Sequence, residues 1–369
     1  MLRSTERLSK TDWKMIISVF LLSRIFIYFI GLMASRIYGG SPAVLDAFCQ
    51  FDCTWYKQII DIGYDLQPRW HVEHDAASWA FMPVYPMIAK VLDVFFNSTT
   101  LSLYVVSNAS FFMALVFMLK LSRQMGLSNE GYFPIWLLAF SPYSVYFVSG
   151  YTESLFMALT LAVFLFSYRQ QWLYVAICGI LLAGTRNLGV MIVFPVLLIA
   201  IGHYGVRSFF KTERGLIVVA VLWVIPLLLF SYMLYLYFLT GDGFAFTHIQ
   251  IAWRRYIDWP THWLEKGLSD GGKGLYLVGM VILGWLINLY LVYKKLWAEA
   301  TFVFICTFIP LLTGITAMPR YLFGLSPVYI AFVAFSDKKP QLQTAILVLS
   351  SVSLSFIVIG FVLEQFFTV

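Results

Sequence analysis

Four charged residues stand where an apolar chain has little use for charge: Asp52, Glu153, Arg186 and Arg320. Asp52 lies in Phe51-Asp52-Cys53-Thr54-Trp55-Tyr56, continued by Gly63-Tyr64, directly after the first long apolar run. A carboxylate in that position suits a general base that takes the proton of an acceptor hydroxyl. Trp55, Tyr56 and Tyr64 would offer surfaces to a sugar ring. Arg186, in Thr185-Arg186-Asn187, and Arg320, in Pro319-Arg320-Tyr321, carry the planar fork that grips a phosphate at two oxygens. Each residue also has a plainer reading. Asp52 could cap a short helix beginning at Thr54 or Trp55. Glu153 could complement a helix dipole in a first turn. Either arginine could snorkel to lipid headgroups.

The elements that must hold these residues are membrane helices. The chain has 369 residues, 60% hydrophobic and 12% charged. About 20 helical residues cross a hydrocarbon core of roughly 30 Å, and continuous apolar runs of that kind read as helices rather than barrel strands. The sequence predicts an all-α polytopic fold in one transmembrane domain, 1–369. About eleven spans are expected, near 15–35, 100–120, 132–148, 152–168, 172–185, 188–203, 215–239, 275–293, 298–316, 321–335 and 342–363. The run from Met15 reads as a retained first span rather than a secretory signal.

Basic residues orient the spans. Arg3, Arg7, Lys10 and Lys14 precede the first, and Lys120, Arg123, Arg169, Arg207, Lys211, Arg214, Lys294, Lys295, Lys338 and Lys339 fall in alternate turns, which places those turns inside. The net charge of +6 is therefore no argument for nucleic acid. Two long segments lie outside. The first, 36–99, should carry short interfacial helices between Trp79 and Asn97, where Pro83 and Pro86 break the apolar run. The second, 241–274, holds Trp253, Arg254, Arg255, Tyr256, Trp259 and Trp263, a cationic and aromatic loop suited to phosphate and sugar. An eleven-span chain would end outside.

Cys49 and Cys53 flank Asp52, with His71, Glu73, His74 and Asp75 downstream. The two thiols could form a disulfide, contribute with His71 and His74 to a loose zinc-like set, or stand uninvolved. The histidine cluster could also be an ordinary solvated loop. Cys178 and Cys306 sit in apolar spans and read as inert. No metal or other cofactor is expected.

Four elements in order resemble one family. Phe51-Asp52-Cys53-Thr54-Trp55-Tyr56 with Gly63-Tyr64 is similar to its W-D-x-x-W-Y element. Ala80-Phe81-Met82-Pro83-Val84-Tyr85-Pro86 resembles A-F-F-P-L-Y-P. Ser141-Pro142 with Tyr151-Thr152-Glu153-Ser154-Leu155-Phe156 resembles S-P followed by Y-[ST]-E-S-L-F, and Thr185-Arg186-Asn187-Leu188-Gly189 resembles T-R-x-x-G. This is the PIG-V type, GPI mannosyltransferase II, with its prokaryotic relatives. The resemblance spans about 45–190; Phe51 departs from it, standing where the family usually has Trp.

The resemblance implies a GT-C membrane glycosyltransferase. It would move a hexose, typically mannose, from a polyprenyl-phosphate donor to a lipid or glycan acceptor, inverting the anomeric centre. By the same resemblance Asp52 and Glu153 are its acidic positions and Arg186 its basic one. Arg320, Arg254 and Arg255 would add phosphate contacts, and Tyr151 and His74 would join the aromatic residues in holding sugar or acceptor. The chain is shorter than eukaryotic members. That implies a bacterial or archaeal plasma membrane with the site outside, or a luminal site in the ER membrane if eukaryotic. The alternative is a transporter or flippase of lipid-linked sugars.

Overall fold

A computed structural model describes residues 7–38, 44–71, 74–127 and 131–365. Arg3 and Glu73 fall outside these residues, as does the side chain of His71. The described chain is an all-α bundle with one small antiparallel hairpin, Arg69–His71 against His74–Ala76.

Six helices are long and apolar enough to cross a membrane, not eleven: Lys10–Tyr38, Thr99–Gln124, Asn187–Tyr204, Glu213–Thr240, Gly271–Tyr293 and Pro340–Val362. These make the chain a multi-pass membrane protein. Four further apolar helices are shorter: Glu153–Tyr168, Trp172–Ala183, Trp297–Leu311 and Ser326–Phe335. At about 1.5 Å per residue none of these four covers a roughly 30 Å core alone.

The expected span at 132–148 is no single helix. Phe133–Ala139 ends before Ser141-Pro142, and a 3₁₀ turn, Ser144–Phe147, follows. Proline disfavours helical geometry in the residue before it, here Ser141. The expected 298–316 span stops at Leu311, just after Pro310, and the region of 321–335 divides into Met318–Phe323 and Ser326–Phe335 around Gly324-Leu325. The Glu213–Thr240 helix carries its own interruption at Pro226, between Glu213–Val224 and Leu227–Thr240.

Side-chain contacts gather the basic turns at one end. Asp12 accepts from both terminal nitrogens of Arg123, at 3.0 and 2.7 Å, and from the Tyr132 hydroxyl at 3.0 Å, so the start of the first helix is locked to the end of Thr99–Gln124. Arg169 donates to Gln124, Trp172 to Tyr204, and Tyr168 to Glu299. The rings of Tyr290 and Phe335 meet there too. The helix Glu153–Tyr168 runs through the centre of the bundle, buried over nearly its whole length and packed along Thr99–Gln124. Its first residue, Glu153, therefore lies at the other end from the basic turns.

That other end carries the two long connecting segments. The first contains the helix Asp52–Ile62, the hairpin, a 3₁₀ turn at Ser78–Ala80 and the helix Val84–Phe96. Pro83 precedes this last helix, and Tyr85 and Ala89 face the core while Met87, Val91, Val94 and Phe95 are exposed. Such an apolar exposed stripe is the face that an interfacial helix would bury. The backbone N–H of Val84 donates to the carbonyl of Gly184 at 3.0 Å, which ties this segment to the hairpin turn bearing Arg186. The second segment folds as Ala245–His248, a 3₁₀ stretch Ile249–Trp253 and the helix Pro260–Ser269.

Candidate functional site

Asp52 opens its helix rather than preceding it. The N-cap is Phe51, with φ at 50° and no side-chain capping bond, so the plainer alternative, Asp52 as a helix cap, is not what the structure contains. A positive φ at a bulky residue is sparsely populated and needs support from its surroundings. Cys49 and Cys53 supply it: they form a disulfide that closes the loop around Gln50, Phe51 and Asp52. The pairing settles the three readings of these thiols and removes both from any zinc set. The Tyr151 hydroxyl donates to the Gln50 carbonyl at 3.0 Å, and the ring of Phe51 meets that of Phe361 edge-on. The Asp52 loop is thus docked on the turn that leads into Glu153.

Gly150 makes that docking possible. A Cβ there would lie 2.5 Å from the Cys53 sulfur, and a disulfide sulfur cannot swing aside as a free side chain can. Gly150→Ala should therefore lower stability by about 1–3 kcal/mol, the usual cost of overpacking. Thermal unfolding in detergent would check this; an unchanged midpoint would mean that the loop does not pack here.

The released carboxylate of Asp52 accepts from Arg320 Nη1 at 2.8 Å. Arg320 is 7% exposed, and its Nε lies 3.4 Å from Glu153 Oε1, near enough for an ion pair but not aligned as a hydrogen bond. Glu153, 2% exposed, also accepts from Arg186 Nη1 at 2.6 Å. The chain Asp52–Arg320–Glu153–Arg186 joins residues from four distant segments. Buried charges persist when paired in this way.

Tyr321 gathers the remaining positive charge. The Arg186, Arg255 and Arg320 guanidiniums lie 5.4, 5.6 and 5.8 Å from its ring centre, and Arg255 also donates to its hydroxyl. Burial pushes the Tyr321 phenol up, but the three arginines, Arg255 foremost, bring it below its ordinary value. Three guanidiniums face two carboxylates in this cluster, which leaves one net positive charge.

The cluster borders a cavity of about 340 Å³. Asp52, Arg186, Arg255, Arg320, Tyr321 and Tyr56 are in its wall, with Trp253, Phe81 and Gln250 beside them. Ile309 and Pro310 of Trp297–Leu311 also line it, so polar and apolar residues share one space. The arrangement can hold an anion near the arginines and an apolar group beyond it, with a carboxylate at the edge.

The other sequence candidates fall outside that wall. Trp55 is buried, stacked on Phe81 at 5.7 Å and edge-on to Trp253 at 5.7 Å, and so supports the wall from behind. Tyr64 donates to the Phe81 carbonyl at 2.8 Å. Tyr151 is buried under the Asp52 loop. His74 is exposed on the hairpin, and Arg254 is exposed with a left-handed backbone, pointing the 254–255 pair's contribution to Arg255. Cys178 and Cys306 are free thiols, half-buried and buried. Sequence reasoning gave no role to Tyr321, Thr247 or Gln250. Tyr321 had a signal, since it adjoins Arg320; the other two carry none.

Arg186→Lys probes the arginine wall. Lysine would keep one ion pair to Glu153 but lose the planar fork and the stacking over Tyr321. If the wall takes a phosphate, affinity for a farnesyl phosphate probe would weaken by one charge-assisted hydrogen bond, about 1.5–3 kcal/mol, or roughly tenfold or more. Affinity at matched expression is the measurement, and an unchanged value would place the anion with Arg255 and Arg320 alone. No protein-family model matches the chain, and no curated protein matches it in sequence.

Proposed function

We propose that the chain is a membrane hexosyltransferase that moves a sugar, mannose by the resemblance, from a polyprenyl-phosphate donor to an acceptor hydroxyl with inversion. The observation that carries this reading is the convergence of Asp52, Arg186 and Arg320, the two arginines joined by buried Glu153, on one cavity lined by both cationic and apolar residues. Asp52 is the general base, within reach of an acceptor in the cavity. The arginines hold the donor phosphate, whose departure as a stable anion needs no strong general acid. Glu153 positions Arg186 through its hydrogen bond and lies near Arg320 as a counter-charge.

The Cys49–Cys53 disulfide favours an oxidising compartment for this end of the bundle. The basic turns at the opposite end favour the same orientation, with the site outside. That side lacks the cytoplasmic nucleotide pool, which supports a lipid-linked donor.

Mass analysis of lipid-linked and surface glycans in cells with and without the protein tests the reading. Loss of a transferase leaves an acceptor one hexose short. Loss of a flippase instead leaves intact lipid-linked sugars on the wrong leaflet, with no truncated acceptor.

A further inference from the structure

The transferase reading leaves Arg320 with two partners to serve. Its Nη1 is hydrogen-bonded to Asp52 at 2.8 Å, so the base of the reaction is held by a cation before any substrate arrives. The other two arginines are placed differently. Arg186 is committed to Glu153 at 2.6 Å. Arg255 has Tyr321 as its hydrogen-bond partner and no carboxylate within ion-pair distance among the described residues. Arg255 is therefore the cation free to take the single negative charge of a sugar phosphodiester, and Arg320 is the one whose partner changes charge.

We propose that Arg320 is passed from Asp52 to the leaving phosphate during transfer. The step balances as follows. The bond from the sugar C1 to the phosphate oxygen breaks, and a bond from C1 to the acceptor oxygen forms. The acceptor's proton goes to an Asp52 oxygen, so the carboxylate becomes a neutral acid. The phosphate changes from a monoanionic diester to a dianionic monoester. One negative charge thus disappears at Asp52 as one appears on the phosphate, within the same cavity. Arg320 loses its ion-pair partner at the moment a new one forms. Its Nε contact with Glu153 is not an aligned hydrogen bond, so it is not fixed on that side. The Tyr146, Tyr151 and Tyr321 rings, each with its centre 5.6 to 5.8 Å from the guanidinium carbon, give it polarizable surfaces to move against. A preorganised cation placed where charge develops is a strong contributor to catalysis. Here the same cation also holds the base in place until the proton arrives.

Linkage makes this testable by binding alone. If a dianionic phosphate competes with ionised Asp52 for Arg320, neutralising Asp52 must strengthen dianion binding by the same coupling. The probe is farnesyl phosphate, titrated calorimetrically into the purified protein in detergent. Asp52→Asn should bind it roughly tenfold more tightly than wild type. The gain should vanish when Asp52→Asn is compared in an Arg320→Gln background, because no guanidinium remains to be passed. A gain that persists in full there would reflect only the removal of a like charge and would overturn the proposal, as would no gain in the single variant.

Arg320→Gln may be replaced by a second measurement that needs no change at Arg320. The gain in Asp52→Asn should be larger for dianionic farnesyl phosphate than for a monoanionic farnesyl methyl phosphodiester, whose single charge Arg255 takes; an equal gain for both would overturn the proposal. Failure of every form to bind farnesyl phosphate would overturn it together with the phosphate site. Loss of transfer in Asp52→Asn without tighter binding would discard the exchange and leave the transferase reading standing.

Discussion

Asp52→Asn should lower turnover by about 10²–10⁴-fold, the range for loss of a positioned general base, while the protein stays folded and inserted. The amide retains an oxygen for the Arg320 Nη1 bond that Asp52 accepts at 2.8 Å, and no helix cap is lost because Asp52 caps none. Turnover is read on purified protein with a lipid-linked donor, and folding by thermal unfolding of the same sample. Near-normal turnover in folded Asp52→Asn would remove Asp52 from the chemistry. A collapse of folding would instead make the Asp52–Arg320 pair structural.

Glu153→Gln should have the largest effect on stability. Glu153 is the shared partner of Arg186, at 2.6 Å, and of Arg320, at 3.4 Å, and all three are largely buried. Removing one member of a buried ion pair leaves uncompensated charge and costs about 3–5 kcal/mol. If Glu153 served only the helix dipole, the loss would be about 0.3–1 kcal/mol. The two values are far enough apart for thermal unfolding in detergent to separate them. A small shift would show that the arginines find other partners and that the network does not depend on Glu153.

Much of this was legible in the sequence because a charge in an apolar chain demands a partner. Asp52, Glu153, Arg186 and Arg320 each stood out for that reason, and they occupy one network. Their pairing was not legible, since 268 residues separate Arg320 from Asp52 and no local pattern encodes that contact. The span count failed where hydrophobicity outran helicity. Residues 132–148 are mostly apolar, yet Ser141-Pro142 splits them into a short helix and a 3₁₀ turn, and the turn's Phe147 carbonyl is held by Arg24 at 3.1 Å and Ser154 at 2.9 Å. A buried break of that kind needs hydrogen-bond partners that come from other helices. The disulfide stayed open at the level of sequence because a C-x₃-C spacing suits several outcomes; the turn at Phe51 decides it by bringing the two cysteines to a Cα separation of 5.1 Å. Aromatic residues were the least legible. Trp55, Tyr64 and Tyr151 look like sugar platforms in the sequence, but they buttress the cavity wall and the Asp52 loop, while Tyr56 and Trp253, also singled out in the sequence, line the space together with Tyr321, which was not.

The most direct test of the central claim is donor choice. Purified protein in liposomes is offered a polyprenyl-phosphate hexose and, separately, the corresponding nucleotide hexose, each with candidate lipid and glycan acceptors. Release of free polyprenyl phosphate together with a hexosylated acceptor is the outcome predicted here, with Asp52→Asn inactive in the same assay. Efficient transfer directly from the nucleotide sugar, with no lipid intermediate, would contradict it.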